Sequence, residues 1–189
     1  MGFRAADLER FRDRTVPDLL PDALRLLFVG INPGLWTAAT GAHFARPGNR
    51  FYPALVEAGI LPRPPSITEE GMTADDREML VDRGIGITNL VRRATARADE
   101  LTRDELRTGA RALSTLVAER RPPVVAVVGL TAYRQGFDRP RAVSGEQDEA
   151  LAGARLWVVP NPSGLNAHDT VHSLARAYAE PARAAGVIP

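Results

Sequence analysis

The stretch "RLLFVGINPG", residues 25–34, decides the fold. Apolar residues run unbroken from Leu26 to Val29 and stop at the turn formers Gly30, Asn32, Pro33 and Gly34. A short run without polar alternation is the pattern of a strand buried on both faces. Such strands belong to parallel sheets covered by helices on either side. Three further segments read the same way: "GIGITNLV" (84–91), "PVVAVVG" (123–129) and "RLWVVP" (155–160).

Helical patterns lie between and after these runs. "NRFYPALVEAGI" (49–60) predicts a helix ending at Gly59, with Pro53 held in its first turn. In residues 101–120, Leu106, Ala110, Leu113 and Val117 fall on one helical face, and Thr102 with Glu105 forms a capping box. A short helix over 132–137 follows the third strand. In residues 169–186, Val171, Leu174, Ala175, Tyr178 and Ala179 share a face, with Asp169 expected as N-cap. A polar lead-in over 1–24 carries a short helix near 5–14. "LPRPPSITEEGMTADD" (61–76) reads as a loop from its Pro, Gly and acidic content. "GEQDEALAGA" (145–154) is a polar connector or a hairpin. No repeat or second domain is evident. The expectation is one α/β domain over 1–189, with its core at about 25–180.

Composition removes several function classes. At 189 residues, 44% hydrophobic and 25% charged, the chain has the balance of a globular protein. There is no run of 18 apolar residues to span a membrane, and the charged first residues lack the apolar core of a signal peptide. A cytoplasmic protein is expected. With no cysteine, disulfides, thiolate nucleophiles and Cys-ligated metals are excluded. All 24 basic residues are Arg, so no side-chain amine can form a Schiff base. The formal net charge of +1 does not by itself announce a nucleic-acid partner.

In open parallel sheets, ligands bind outside the carboxyl ends of the strands. Three predicted strand ends carry unusual text: "GINPG" (30–34), "ITNLVRRAT" (87–95) and "VVPNPSGLNAH" (158–168). Taken alone, "GINPG" is a turn: it has neither the dinucleotide-binding spacing nor a P-loop. His168 and His172 have metal-binding spacing, but His168 precedes the helix and no third ligand is evident. "NPSG" is not a nucleophile elbow. No metal or cofactor is expected.

Together, "GINPG", "HFARPGNRF" (43–51), "GIGITNLV" and "NPSGLNAH" (161–168) resemble the mismatch-specific uracil-DNA and thymine-DNA glycosylase family, in order and spacing, over roughly residues 26–178. The resemblance implies a uracil-DNA glycosylase-like, three-layer α/β/α sandwich around a central, mostly parallel sheet. It also implies a monomeric, nucleoid-associated bacterial protein that flips a base out of double-stranded DNA carrying a G·U or related mismatch and hydrolyses its N-glycosidic bond. Asn32 aligns with the catalytic Asn, which positions a water. Phe44 aligns with the aromatic that stacks on the flipped base, the alternative being a core Phe. Ile31 would offer backbone groups to the base edge. Gly34 would allow close approach at the same wall, and Thr37 would crowd the methyl group of thymine.

His43 and Asn89 match the thymine-acting branch. Asn89 offers both a donor and an acceptor to a pyrimidine edge. His43 stands either at the pocket edge or on a surface loop. Asn161 would stabilise charge on the departing base, and Ser163 would bind a phosphate. Leu165 would be the wedge, with Gly164 and Asn166 touching the widowed guanine through backbone groups; the alternative is a plain turn with a buried Leu. Arg46, Arg50, Arg92, Arg93 and Arg97 follow two strand ends and read either as phosphate contacts or as solvated surface. Lacking Lys, the enzyme would be monofunctional. The rival functions are a nucleic-acid-binding module without turnover and a hydrolase of modified free nucleosides.

Overall fold

The computed structural model describes residues 3–164 and 169–189. In chain order the elements are α1 (Ala5–Leu8), β1 (Leu26–Gly30), α2 (Leu35–Thr40), α3 (Phe51–Glu57), β2 (Ile67–Thr68), β3 (Gly71–Met72), α4 (Ala74–Val81), β4 (Ile85–Asn89), α5 (Arg103–Arg120), β5 (Val124–Val128), α6 (Leu130–Gly136), β6 (Gly145–Glu146), β7 (Arg155–Val159) and α7 (Val171–Ala184). Single 3-10 turns lie at Glu9–Phe11 and Ala98–Glu100.

The four apolar runs form four neighbouring strands of a five-stranded sheet ordered β4-β1-β5-β7-β6. Its first four strands are parallel, and β6 pairs antiparallel with β7. The "GEQDEALAGA" connector therefore closes as a hairpin, with Gly145 and Glu146 opposite Val158 and Trp157. Alternate strand residues face opposite layers. Leu26, Phe28, Ile87, Ala126 and Val159 pack with Phe51 and Leu55 of α3, Leu80 of α4 and Leu174 and Tyr178 of α7. Leu27, Val29, Val125, Val127 and Val158 pack with Leu106, Leu113 and Val117 of α5 and Tyr133 of α6. This is a three-layer α/β/α arrangement.

The capping box of α5 forms as the sequence predicts, with Thr102 Oγ1 accepting from the Glu105 N–H. Two expectations are corrected. The N-cap of α7 is Thr170, whose hydroxyl accepts from the Ser173 N–H, while Asp169 accepts a bond from the Ser173 hydroxyl. The acidic segment expected as loop contains the β2–β3 hairpin and the start of α4. There Thr73 caps the helix, and Asp76 is buried against Arg63, the Ser66 N–H and the Thr73 hydroxyl.

The sheet reverses direction of winding between β1 and β5: the chain leaves β1 for β4 on one side and leaves β5 for β7 on the other. A crevice opens where the two connections diverge. Its floor is fixed from below by α5. A Cβ built at Gly109 would lie 2.1 Å from the Leu90 carbonyl oxygen, so this helix packs directly on the backbone leaving β4. Gly in a helix interior costs about 1 kcal/mol relative to Ala, and the close approach explains its presence. Gly109→Ala should lower stability by about 1–3 kcal/mol despite its better helix propensity. Chemical denaturation would register this as a lower midpoint with an unchanged slope.

Candidate active site

The segments leaving β1 and β4 remain hydrogen-bonded beyond the sheet. Leu90 N–H donates to the Gly30 carbonyl at 2.9 Å, Val91 N–H to Ile31 at 2.9 Å and Thr95 N–H to Pro33 at 3.2 Å. This brings "GINPG" and "ITNLVRRAT" side by side. The third strand end joins them through α7 and the segment before α3. Tyr178 donates its hydroxyl to the Pro160 carbonyl, Arg50 N–H donates to Pro162, and the Arg50 guanidinium donates to the carbonyls of Ser163 and Asp169. A cavity of about 1180 Å³ lies over these ends, lined by Ile31, Asn32, Gly34, Thr37, His43, Phe44, Asn89, Asn161 and Ser163, among others.

The orientation of Asn32 is set by groups that can only accept or are already committed. Its Nδ2 donates to the Arg93 carbonyl at 3.1 Å and to Thr95 Oγ1 at 2.7 Å, with a third contact to Pro33 O at 3.1 Å. Thr95 in turn donates its hydroxyl to the Arg97 carbonyl at 2.7 Å. A backbone carbonyl cannot donate, so the nitrogen must face it. The Asn32 Oδ1 is thereby left as an acceptor, and no described residue donates to it. Thr95 is a positioning residue within "ITNLVRRAT" to which sequence reasoning assigns no role; a buried Thr six residues past a strand end carries no periodic signal.

Phe44 has φ +56, an uncommon backbone conformation for an aromatic residue. Two contacts hold it there: Tyr52 donates its hydroxyl to the His43 carbonyl, and the Phe44 ring stacks on the fully buried Phe51 with centroids 3.9 Å apart. The half-buried Phe44 ring borders the cavity rather than filling the core. Gly30 also contributes. A Cβ there would lie 2.5 Å from Asn89 Oδ1 and 3.5 Å from the tip of Phe44. At Gly34 a Cβ would meet nothing within 4 Å, so its surroundings are open on the cavity side. Thr37 is buried in α2 at the wall.

His43 is only 6% exposed, which removes the surface-loop reading. Its Nε2 lies 3.0 Å from the Pro17 carbonyl and its Nδ1 lies 3.3 Å from Asn89 Nδ2. Burial, the largest influence, pushes its pKa down, against smaller opposing effects of the Pro17 carbonyl and Asp18. Asn161 Oδ1 accepts from the Ser163 N–H at 3.0 Å, and its Nδ2 lies on the Gly129 side of the crevice. Gly129 has φ +127, and a Cβ there would crowd Ile31 Cδ1 at 3.1 Å. Gly164 packs close to the Gly48 carbonyl. Leu165 and Asn166, with Ala167 and His168, lie outside the described residues. His172 is exposed and bonds Glu57 at 2.7 Å.

Of the two readings of the arginines, solvated surface describes Arg92 and Arg97, which are exposed, and the three after β4 are ion-paired within the molecule. Arg92 pairs with Asp18, Arg93 with Glu105 and Asp13, and Arg97 with Asp99. Arg50 brackets the loop after β7. Arg46 is exposed at the cavity rim and forms no ion pair among the described residues.

The sequence model of the Uracil DNA glycosylase superfamily matches residues 17–181, most of the chain, and includes all three strand ends that converge on the cavity. The chain belongs to that superfamily. Its members are DNA N-glycosylases, hydrolases of the bond between base and deoxyribose. The fold is also similar to the solution NMR structure of a candidate uracil DNA glycosylase from Methanosarcina acetivorans. The TM-score is 0.59 at 16% identity, covering 89% of this chain and 96% of that one. Among the described residues, no helix is long and apolar enough to cross a membrane.

The buried His43 has a thermodynamic consequence. Its lowered pKa means the folded state resists a proton that the unfolded chain accepts near the ordinary value of 6.5. Its contribution is fully present above that value and is lost as pH falls through the depressed folded pKa. Replacing it with Gln should flatten the acid side of the stability curve, as read by denaturant titrations at neutral and mildly acidic pH.

Proposed function

We propose that this glycosylase excises uracil opposite guanine in double-stranded DNA, with thymine and ethenocytosine as slower substrates, and leaves an abasic site. The observation that carries this reading is the Asn32 carboxamide. Its nitrogen is tied to Arg93 O and Thr95 Oγ1, so its oxygen is the atom available to a water, in the same cavity as the Phe44 ring. A flipped pyrimidine would stack on Phe44, an interaction worth roughly 1–3 kcal/mol.

An amide oxygen accepts a hydrogen bond from water but is too weak a base to deprotonate it at neutral pH. Asn32 therefore orients the nucleophile, and bond breaking to the base runs ahead of its attack. The sugar develops oxocarbenium character, and the base departs with negative charge. The Asn161 Nδ2 on the Gly129 side of the crevice is a neutral donor for that charge, and preorganisation supplies most of the rate. Without a Lys, no side-chain amine offers a Schiff-base route to cleave the strand afterwards.

The direct test is a duplex with a single G·U mismatch, followed by alkali. Scission should appear only after alkaline treatment, and Asn32→Ala should reduce the single-turnover rate by about 10²–10³-fold. DNA binding without base release, or an Asn32→Ala rate equal to wild type, would sink the reading. Thr95→Val keeps the shape of the buried side chain but removes the shortest of the hydrogen bonds that hold the Asn32 amide. It should slow excision by about tenfold, the scale of one neutral hydrogen bond, while DNA affinity holds.

Thr37, at the cavity wall, limits space for a C5 methyl group. Thr37→Ala should raise the ratio of G·T to G·U excision by about tenfold, near the lower bound for one methyl group in a packed pocket.

A further inference from the structure

Asn89 can face a base in two ways, because its amide oxygen and nitrogen are interchangeable in shape. One orientation presents an acceptor where the other presents a donor. Uracil has an N–H at position 3 and a carbonyl at position 4; cytosine has a bare nitrogen and an amino group. An Asn free to flip serves both bases, so reading one of them requires a lock.

A chain of three groups supplies one. The Pro17 carbonyl can only accept, so His43 Nε2, 3.0 Å away, must carry the proton. In a neutral ring Nδ1 is then a bare acceptor. Asn89 Nδ2, 3.3 Å from Nδ1, donates to it, which turns Oδ1 to the opposite side of the amide. That oxygen lies beside Gly30, 2.5 Å from where a Cβ would stand, a position only glycine leaves open. The Phe44 ring edge lies next to the same point. A flipped amide would set Oδ1 against the Nδ1 lone pair.

We propose that His43 is a positioning residue which, through the Pro17 carbonyl, fixes the hydrogen-bond polarity of Asn89 so that the pocket reads the uracil edge and refuses cytosine. The inference rests on the reading of the cavity as a pyrimidine pocket. Oδ1 accepts from N3–H of the base, and the second amide N–H donates to O4. The lock works only with a neutral ring. An imidazolium would carry a proton on Nδ1 and would draw Oδ1 toward itself, reversing the pair presented to the base. Burial opposes that charge, as do Arg77 of α4 and Arg92 after β4; Asp18 in the lead-in favours it and is itself paired with Arg92.

The test separates recognition from chemistry. Oligonucleotides carrying non-cleavable 2′-fluoro deoxyuridine or 2′-fluoro deoxycytidine opposite an abasic analogue remove any difference in pairing, and the ratio of their dissociation constants is the readout. Wild type should prefer uracil. The preference should shrink by about tenfold in His43→Phe, the scale of one neutral hydrogen bond, and in wild type once pH falls below the depressed pKa of His43. In His43→Phe it should no longer vary with pH. Nitrogen-15 NMR of the wild-type histidines should place the proton of His43 on Nε2, a measurement that needs no variant. A proton on Nδ1 at neutral pH, or an unchanged base preference in a folded His43→Phe, overturns the proposal. Absence of uracil release from G·U DNA with the preference intact would instead overturn the catalytic reading alone.

Discussion

The continued pairing of two chain segments beyond the sheet is the constraint on which the site depends. Parallel strands β1 and β4 end at Gly30 and Asn89, yet the backbone bonds from Leu90, Val91 and Thr95 carry the pairing on to Pro33. Each bond satisfies a donor that would otherwise need water, which is why irregular backbone can remain ordered at the cavity floor. The geometry of Asn32 follows directly: the Arg93 carbonyl and the Thr95 hydroxyl reach its amide because the second segment runs alongside the first. The close seat of Gly109 under Leu90 transmits the position of a long, well-capped helix to the same floor.

The fold was legible in the chain because its signals are redundant. Four apolar runs, two amphipathic faces and a capping box all pointed to one architecture. The failures have local causes. Residues 73–76, "TADD", read as loop because acidic residues usually mark solvent. Here they form the first turn of α4, where negative charge is favoured at a helix N-terminus, and Asp76 is drawn inside by Arg63 and the Ser66 N–H. At α7 two adjacent residues could cap, and the hydroxyl of Thr170 took the position expected for Asp169.

Of the site, the motif residues could be found by sequence, and their partners could not. The convergence of "GINPG", "ITNLVRRAT" and "NPSG" follows from parallel topology. That Arg92, Arg93 and Arg97 are matched by Asp18, Glu105 and Asp99 does not, because Asp18 and Arg92 are far apart in the chain and no periodicity links them. Their charges are largely compensated within the molecule. This removes three of the five arginines from any simple count of phosphate contacts and gives more weight to Arg46 at the rim. Likewise Pro17, in a lead-in that looked featureless, provides the carbonyl that sets the tautomer of His43.

A common device runs through the cavity. Three of the carboxamides that line it have their ambiguity between oxygen and nitrogen resolved by a fixed partner. Backbone carbonyls settle Asn32, a backbone N–H settles Asn161, and a carbonyl acting through a neutral imidazole settles Asn89. None of these groups carries charge, so burying them avoids the large desolvation penalty of an unpaired ion. The penalty avoided has a counterpart in reactivity: an amide cannot act as a strong base, and its donors stabilise a developing anion less than a cation would. A pocket of this kind gains orientation at the expense of basicity, and in the proposed reaction it acts best on bases that leave readily without help. The leaving ability of the base, more than its fit to the wall at Thr37, then decides how far such a site can extend beyond uracil.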